Sequence, residues 1–320
     1  MNRKKSVLTK ILTHMLHNLL VLIGITLVTY LVLYLSPRNP AELWLAGSDN
    51  NAGTVSEEAI AEQEHIMGLD KPFLVQYWNW LIQVAQGDLG TSFTTNRPVS
   101  EELTGHMLPT LYLAVISLAV TVAVAVPLGF YCAVHPDGRV DNILRVFSFI
   151  GISVPSFLLS LVMLWLFCLK LKLLPVIADS GGKGLIMPIF VLILQCTSKM
   201  IRQVRAIVLE QLEQPYIQGA VSRGVRRHTI LFGHVLKNCT AAILTCISIY
   251  TGILLGGAAV IEGIFSVNGL GRLAVSSVAR LDYYVLQGFV LWCALAYLIV
   301  NFAVDIISAL VDPRMKREQV

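Results

Sequence analysis

Five stretches of this chain, at 11–35, 108–134, 146–169, 239–261 and 285–303, are each long and apolar enough to cross a bilayer unaided. A spanning helix needs roughly 20 mostly apolar residues to cover about 30 Å of hydrocarbon, and it must pair every backbone group internally because no water reaches that depth. An all-α membrane protein is therefore expected. Composition agrees: 55% of the 320 residues are hydrophobic and only 14% charged, with a mean hydropathy of +0.69, too apolar for a soluble domain of this size.

A sixth run, 185–198, is free of charge for only about 14 residues, which alone suggests a buried or re-entrant helix. Orientation argues for a full span. The tail carries Arg3, Lys4, Lys5 and Lys10, the short loop Arg139 and Arg145, and the 199–238 segment seven more cations. The positive-inside rule asks for all three on the cytoplasmic side, which requires a crossing between Leu169 and Lys199. Six spans with both termini inside are expected, the fourth continuing past Lys199 with Lys199 and Arg202 snorkelling or facing a cavity. Lys170, Lys172 and Lys183 fall on the other side. The first span is too long for the apolar core of a signal peptide, and Ser36-Pro37-Arg38 is a poor cleavage site, so it reads as a retained anchor. Cysteines 132, 168, 196, 239, 246 and 293 all sit in or beside spans, without C-x-x-C spacing, and read as buried apolar residues.

The segments read as a cytoplasmic tail 1–10, a first span 11–35, an extracytoplasmic loop domain 36–107, a membrane core 108–311 and a tail 312–320. The loop holds three basic and ten acidic residues, a net of minus seven. Ser56 or Thr54 can cap a helix opening on Glu57 and Glu58 and ending at Gly68. Pro72 suits the first turn of a second helix, whose Phe73, Tyr77, Trp80, Leu81 and Val84 form one apolar stripe, with Gly87 and Gly90 closing it. That stripe must lie on protein or on the membrane surface, as a lid on the span bundle or against an external partner.

No site for chemistry emerges. Gly181-Gly-Lys-Gly184 has neither the spacing nor the following Ser or Thr of a phosphate loop, H-E-x-x-H and G-x-S-x-G are missing, and the seven histidines are dispersed. His14 and His17 read as interfacial anchors. Membrane carboxylates are few, Glu262 near the outer end of the fifth span and Asp305 near the inner end of the sixth, and no paired broken repeats mark an ion-coupled carrier, which stays the weaker alternative. Pro127, Pro155 and Pro188 should each kink a span. Ser153-Val-Pro-Ser156 is the best such place, as a packing kink or as part of a translocation path.

The most unusual segment is 200–238, basic and rich in small residues between two spans. Gly219 or Ala220 with Gly224 leave one helical side bare, so another backbone can approach closely, and Arg223, Arg226 and Arg227 can meet an acidic rim. Tyr216-Ile-Gln-Gly-Ala-Val-Ser-Arg-Gly224 with His234-Val-Leu-Lys-Asn238 is similar to the ATPase-coupling motif of binding-protein-dependent ABC importer permeases, in the dipeptide, oligopeptide and nickel branch. Gly68-Leu-Asp-Lys-Pro72, Gln76-Tyr77, Trp80-Leu81, Gly87-Asp-Leu-Gly90 and Arg97-Pro-Val99 resemble the first permease of the pair. Glu262-Gly-Ile-Phe265, Gly269-Leu-Gly-Arg272, Arg280-Leu-Asp-Tyr283, Gln287-Gly288 and Asp312-Pro-Arg314 follow in order, so nearly the whole chain is covered. It departs from the pattern at Gln218-Gly219-Ala220, where the motif has Glu-Ala-Ala, at Ala242, at Val267-Asn268 and at Tyr283-Tyr284.

The resemblance implies a six-helix permease paired with a second, homologous permease. Beneath it stand two ABC ATPase subunits that bind ATP and Mg, and above it an extracytoplasmic solute-binding protein, all in or at the bacterial cytoplasmic membrane. This chain would hold no cofactor, perform no catalysis and touch membrane lipid but no nucleic acid. Tyr216, Gln218, Gly219, Ala220, Arg223, Gly224, His234 and Asn238 would couple to the ATPases, and Pro155, Glu262, Gly269, Gly271 and Asp305 would belong to the path or its gate. The short 175–188 loop and the Thr91 to Val99 segment tilt the expected cargo to nickel or a metal chelate, with dipeptides or oligopeptides as the alternative.

Overall fold

The computed structural model describes the backbone of residues 2–36, 39–48, 56–177 and 183–311, and their side chains apart from 2–15, 46–48, 257 and 309–311. Thr54, the 312–320 tail with Asp312-Pro-Arg314, and Gly181 fall outside the described residues, as do the side chains of His14 and of the basic tail. The helices in order are α1 (Asn2–Tyr34), α2 (Pro40–Ser48), α3 (Glu57–Met67), α4 (Phe73–Ala85), α5 (Val99–Val134), α6 (Arg139–Ser153), α7 (Ser156–Met163), α8 (Ile186–Leu212), α9 (Pro215–Ser222), α10 (Leu236–Gly257), α11 (Ala259–Ile264), α12 (Leu270–Arg280) and α13 (Tyr283–Val311). Wide π-turns extend α7 over Leu164–Lys170 and precede α10 over Thr229–Val235. No strand occurs among the described residues; one antiparallel bridge joins Thr91 to Pro98.

Among the described residues five segments are long and apolar enough to cross a membrane, Leu16–Tyr34, Val99–Val134, Lys183–Leu212, Thr229–Ile264 and Tyr283–Ser308, and a sixth if α6 and α7 are one broken span. The fourth span does run past Lys199 as one helix, and its most apolar window is 56% buried against 6% for the first span. That burial explains why its apolar run is short in sequence: a helix wrapped by protein need not be apolar all round.

The prolines behave differently from one another. Pro155 does more than kink: α6 and α7 meet at 103°, with Val154 and Pro155 both extended, because a residue before proline is driven out of the helical region. Pro188 makes no kink, since it stands in the first turn of α8, where its missing N–H has no intrahelical partner to lose.

The chain divides into two compact units, Met1–Leu108 with Leu273–Leu298, and Pro109–Arg272 with Ile299–Val320. In the first unit α3 is capped as the sequence suggests. Ser56 Oγ accepts from Ala59 N at 3.3 Å and Gly68 takes the left-handed conformation at φ 69°. Pro72 stands one residue before α4, as its N-cap. The α4 stripe packs as a lid on α1: Tyr77 and Trp80 are buried, Tyr77 OH shares a 2.9 Å hydrogen bond with Thr26 Oγ1, and the Tyr30 ring lies 5.7 to 5.9 Å from the rings of Phe73, Tyr77 and Trp80. In the second unit α8 is the central element. Cβ atoms built at Gly129 of α5 and Gly151 of α6 would collide with Ile201 O and Val204, and with Ser198, so only glycine allows those helices to lie so close.

Candidate functional site

Gln214 stays extended and Pro215 starts α9 with its φ already helical. The helix ends in a paired stop: Val225 N donates to Ala220 O at 3.1 Å, Gly224 N to Val221 O at 2.9 Å, and Gly224 holds φ 75°. That is the Schellman arrangement, in which glycine supplies the left-handed residue without a steric cost.

Ile217 and Ala220 are the buried side of α9, while Tyr216, Gln218, Gly219, Val221, Ser222, Arg223 and Gly224 are exposed. Of the small residues expected to form a bare side, Gly219 and Gly224 do so, with nothing within 4 Å of a built Cβ. Ala220 does not; it is 5% exposed and faces its own chain. Beneath the helix, Val134, Leu212, Ile217, Val221, Val225, Arg227, Ile230 and Leu231 line a mostly apolar cavity of about 270 Å³.

The distant halves of the motif are fastened together. Asn238 Nδ2 donates to Tyr216 OH at 2.8 Å, and Tyr216 OH donates to Gln211 Oε1 at 3.0 Å. Tyr216 and Asn238 therefore brace α9 against the ends of α8 and α10. His234 is exposed on the π-turn segment. The cations divide. Arg223 curls back to donate to Gly219 O at 3.0 Å and Arg227 donates to Val134 O at 3.1 Å, closing the end of α5, while Arg226 and Lys237 stand exposed.

Arg205, counted among the basic residues of this segment, is spent inside the fold. Its Nε and Nη2 reach the two carboxylate oxygens of Asp141 at 2.7 and 2.9 Å. Asp141 is 2% exposed and also accepts from Arg145 Nη2 at 2.9 Å and from Asp137 N at 3.0 Å. Sequence reasoning passed over Asp141; the Asp141/Arg145 spacing of four was the available signal.

The expected path residues separate into three places. Glu262 is fully buried on α11. One oxygen accepts from Thr110 Oγ1 at 2.7 Å and the other from Arg272 N at 3.0 Å, while Thr110 Oγ1 accepts from Leu270 N at 2.8 Å. A carboxylate at these first N–H groups caps α12 and suits the positive end of its dipole. A Cβ on Gly269 would stand 2.5 Å from Glu262 Oε2, and one on Gly271 would stand 2.5 Å from Ala259 Cα. Glu262, Gly269 and Gly271 thus form one tight corner. Pro155 directs α7 toward α11, against which α7 packs, and Asp305 is exposed on α13, apart from that corner.

On the first unit, the Thr91 to Val99 segment is fixed by Asp282, whose Oδ2 accepts from Ser92 Oγ at 2.5 Å and Thr94 N at 3.3 Å. Phe93 is buried against Tyr283 and Tyr284, ring centres 6.1 and 5.1 Å away. Tyr284, a departure from the family pattern, fills the space over Gly90.

Residues 125–317 match the family described as "Binding-protein-dependent transport system inner membrane component", and residues 7–114 its N-terminal companion. The "Glutathione transport system permease protein GsiC" of Salmonella choleraesuis is 33% identical over 295 residues, 92% of this chain and 94% of the relative. The protein of the same description from Escherichia coli K12 is 30% identical over 91% and 94%. A solved structure titled as inward-facing conformations of the MetNI methionine ABC transporter matches at TM-score 0.53 and 18% identity over 66% of this chain, which speaks to the fold alone. Matched by family models along almost its whole length, and by permeases rather than enzymes, the chain belongs to the inner-membrane permeases of binding-protein-dependent ABC importers.

Proposed function

We propose that this chain is one permease of an importer for short peptides of the glutathione class. The names of its relatives support that cargo. The nickel reading leaned on the short 175–188 loop and on the 91–99 segment; in the latter Ser92 and Phe93 fasten the fold to Asp282 and Tyr284, which gives that segment a role needing no metal. A second, homologous permease would complete the path, two ATPases would bind ATP and Mg, and a solute-binding protein would deliver the peptide. Both termini and the α9 face would lie in the cytoplasm, where the positive-inside rule puts the 199–238 segment.

The observation that carries the coupling role is α9 itself, a largely exposed helix opened by Pro215 and closed by Gly224, with an open Gly219, braced to the ends of two spans. An ATPase closing on it would press α8 and α10 together, and the spans would alternate between outward and inward access. Coupling of this kind is reciprocal, so the loaded binding protein must in turn favour the ATP-closed ATPases.

Reconstituted in vesicles with its partners, the complex should hydrolyse ATP faster when the binding protein carries glutathione or a dipeptide than when it is empty or offered a nickel chelate. Stimulation by nickel chelate alone would reverse the cargo assignment. For α9, Gly219→Trp is the cleaner probe than any change at Gly224, whose positive φ would strain a side chain. Because Gly219 is exposed and nothing stands within 4 Å of a Cβ built there, folding should stand while solute-stimulated hydrolysis falls about tenfold, equivalent to ~1.4 kcal/mol of lost docking. Normal stimulation in that variant would remove α9 from the coupling path.

A further inference from the structure

Helix α4 is covered on one side only, and its exposed side is itself divided. The stripe on α1 accounts for Tyr77 and Trp80, yet Leu74 is 70% and Trp78 63% exposed, and Val75 and Ile82 are 43% exposed each. At 100° per residue Leu74, Trp78 and Ile82 follow one another along one line, while the exposed polar residues Asn79, Gln83 and Gln86 fall on another. The helix carries no charged residue between Phe73 and Ala85, although it belongs to a loop of net charge minus seven. A surface meant for water would not leave such a line of large apolar groups, and soluble proteins seldom expose one.

Its position says what covers the line. Tyr77 reaches Thr26 Oγ1 and Ile23 O, and Phe73 packs on Tyr34 with ring centres 5.1 Å apart. Ile23 to Tyr34 is the greater part of the first span, Leu16–Tyr34, so α4 lies alongside a membrane-crossing helix, with Phe73 at its Tyr34 end, and not above it. Next to it on α1, Leu31 and Tyr34 are also exposed, so the apolar surface continues from the span onto α4.

We propose that α4 is an interfacial membrane helix, with Leu74, Trp78 and Ile82 immersed at the headgroup and acyl boundary of the leaflet at the Tyr34 end of α1, and Asn79 and Gln83 in water. Three features match such helices: an apolar line, a polar line, and a Trp where ring and N–H can serve both media. This helix would then tie the loop domain to the bilayer surface as well as to α1. The inference rests on the span assignment alone and stands whatever the transported solute.

Spin labels test it in the complete transporter, reconstituted in phosphatidylethanolamine and phosphatidylglycerol, with the native cysteines replaced. Labels at Leu74→Cys, Trp78→Cys and Ile82→Cys should collide severalfold more with oxygen, relative to a water-soluble nickel chelate, than labels at Asn79→Cys and Gln83→Cys. A water-like ratio at 78 would overturn the proposal. So would low collision with both reagents, which would signal a protein cover such as the binding protein or the second permease. Should the labelled chains fail to assemble, quenching by lipids brominated high on the acyl chain should be greater for the parent than for Trp78→Phe, and equal quenching would overturn it as well.

Discussion

Replacing Asp141 by alanine is expected to cost about 3 kcal/mol of stability, the lower part of the range for breaking a buried ion pair. Asp141 is almost wholly enclosed, whereas Arg205 keeps 24% of its side chain exposed, so water can resolvate part of the abandoned guanidinium. Arg145 is more than half exposed and contributes little. The loss arises mainly from the Arg205 pair, which joins the start of α6 to α8, and from the orphaned Asp137 N–H of the turn before α6. Asp141→Asn preserves the shape and one acceptor and should lose less, and Asp141→Leu with Arg205→Met should recover part of the loss by leaving no unpaired charge. Thermal unfolding in detergent reads all three; a parental melting point for Asp141→Ala would contradict the geometry.

The second large effect is expected at Glu262. Alanine there would deprive the Thr110 hydroxyl and the Arg272 N–H of their carboxylate acceptor, each at a cost of about 1–3 kcal/mol. Gly269→Ala attacks the same corner from the other side, driving a Cβ against the carboxylate, for about 1–3 kcal/mol. Since the two changes disturb one packed arrangement, their effects should be less than additive in a double-mutant cycle. Both variants should melt early while whatever transport survives keeps the parental preference among peptides, because a brace sets where α12 begins and a path-lining carboxylate would set what passes. A changed preference with parental stability would return Glu262 to the path.

Much of this was legible from local pattern. The spans follow from apolar length, the limits of α3 from Ser56 and Gly68, and the α4 stripe from its spacing, since each signal lies within one or two turns. What escaped depends on partners far apart in the chain. Arg205 reads as one more cation on a basic segment until α6 brings Asp141 to it from 64 residues away. Pro155 announces a break, but the 103° turn is set by what α7 finds to pack on. Ala220 and Gly219 are neighbours of similar size, and only the packing of α9 decides that one faces inward and the other out. The second, exposed line of α4 was equally present in the sequence, hidden because the first stripe already explained why the helix forms.

The two glycines that let α5 and α6 approach α8 meet it within a span of seven residues, at Ser198 and at Ile201 with Val204. Helices brought so close at these points would open a void if they slid past one another, so α5 and α6 are expected to follow α8 when it moves. Were α9 to pass force to α8, bending would be expected at the elbow of Val154 and Pro155, where the chain between α6 and α7 is extended and no helix ladder resists it.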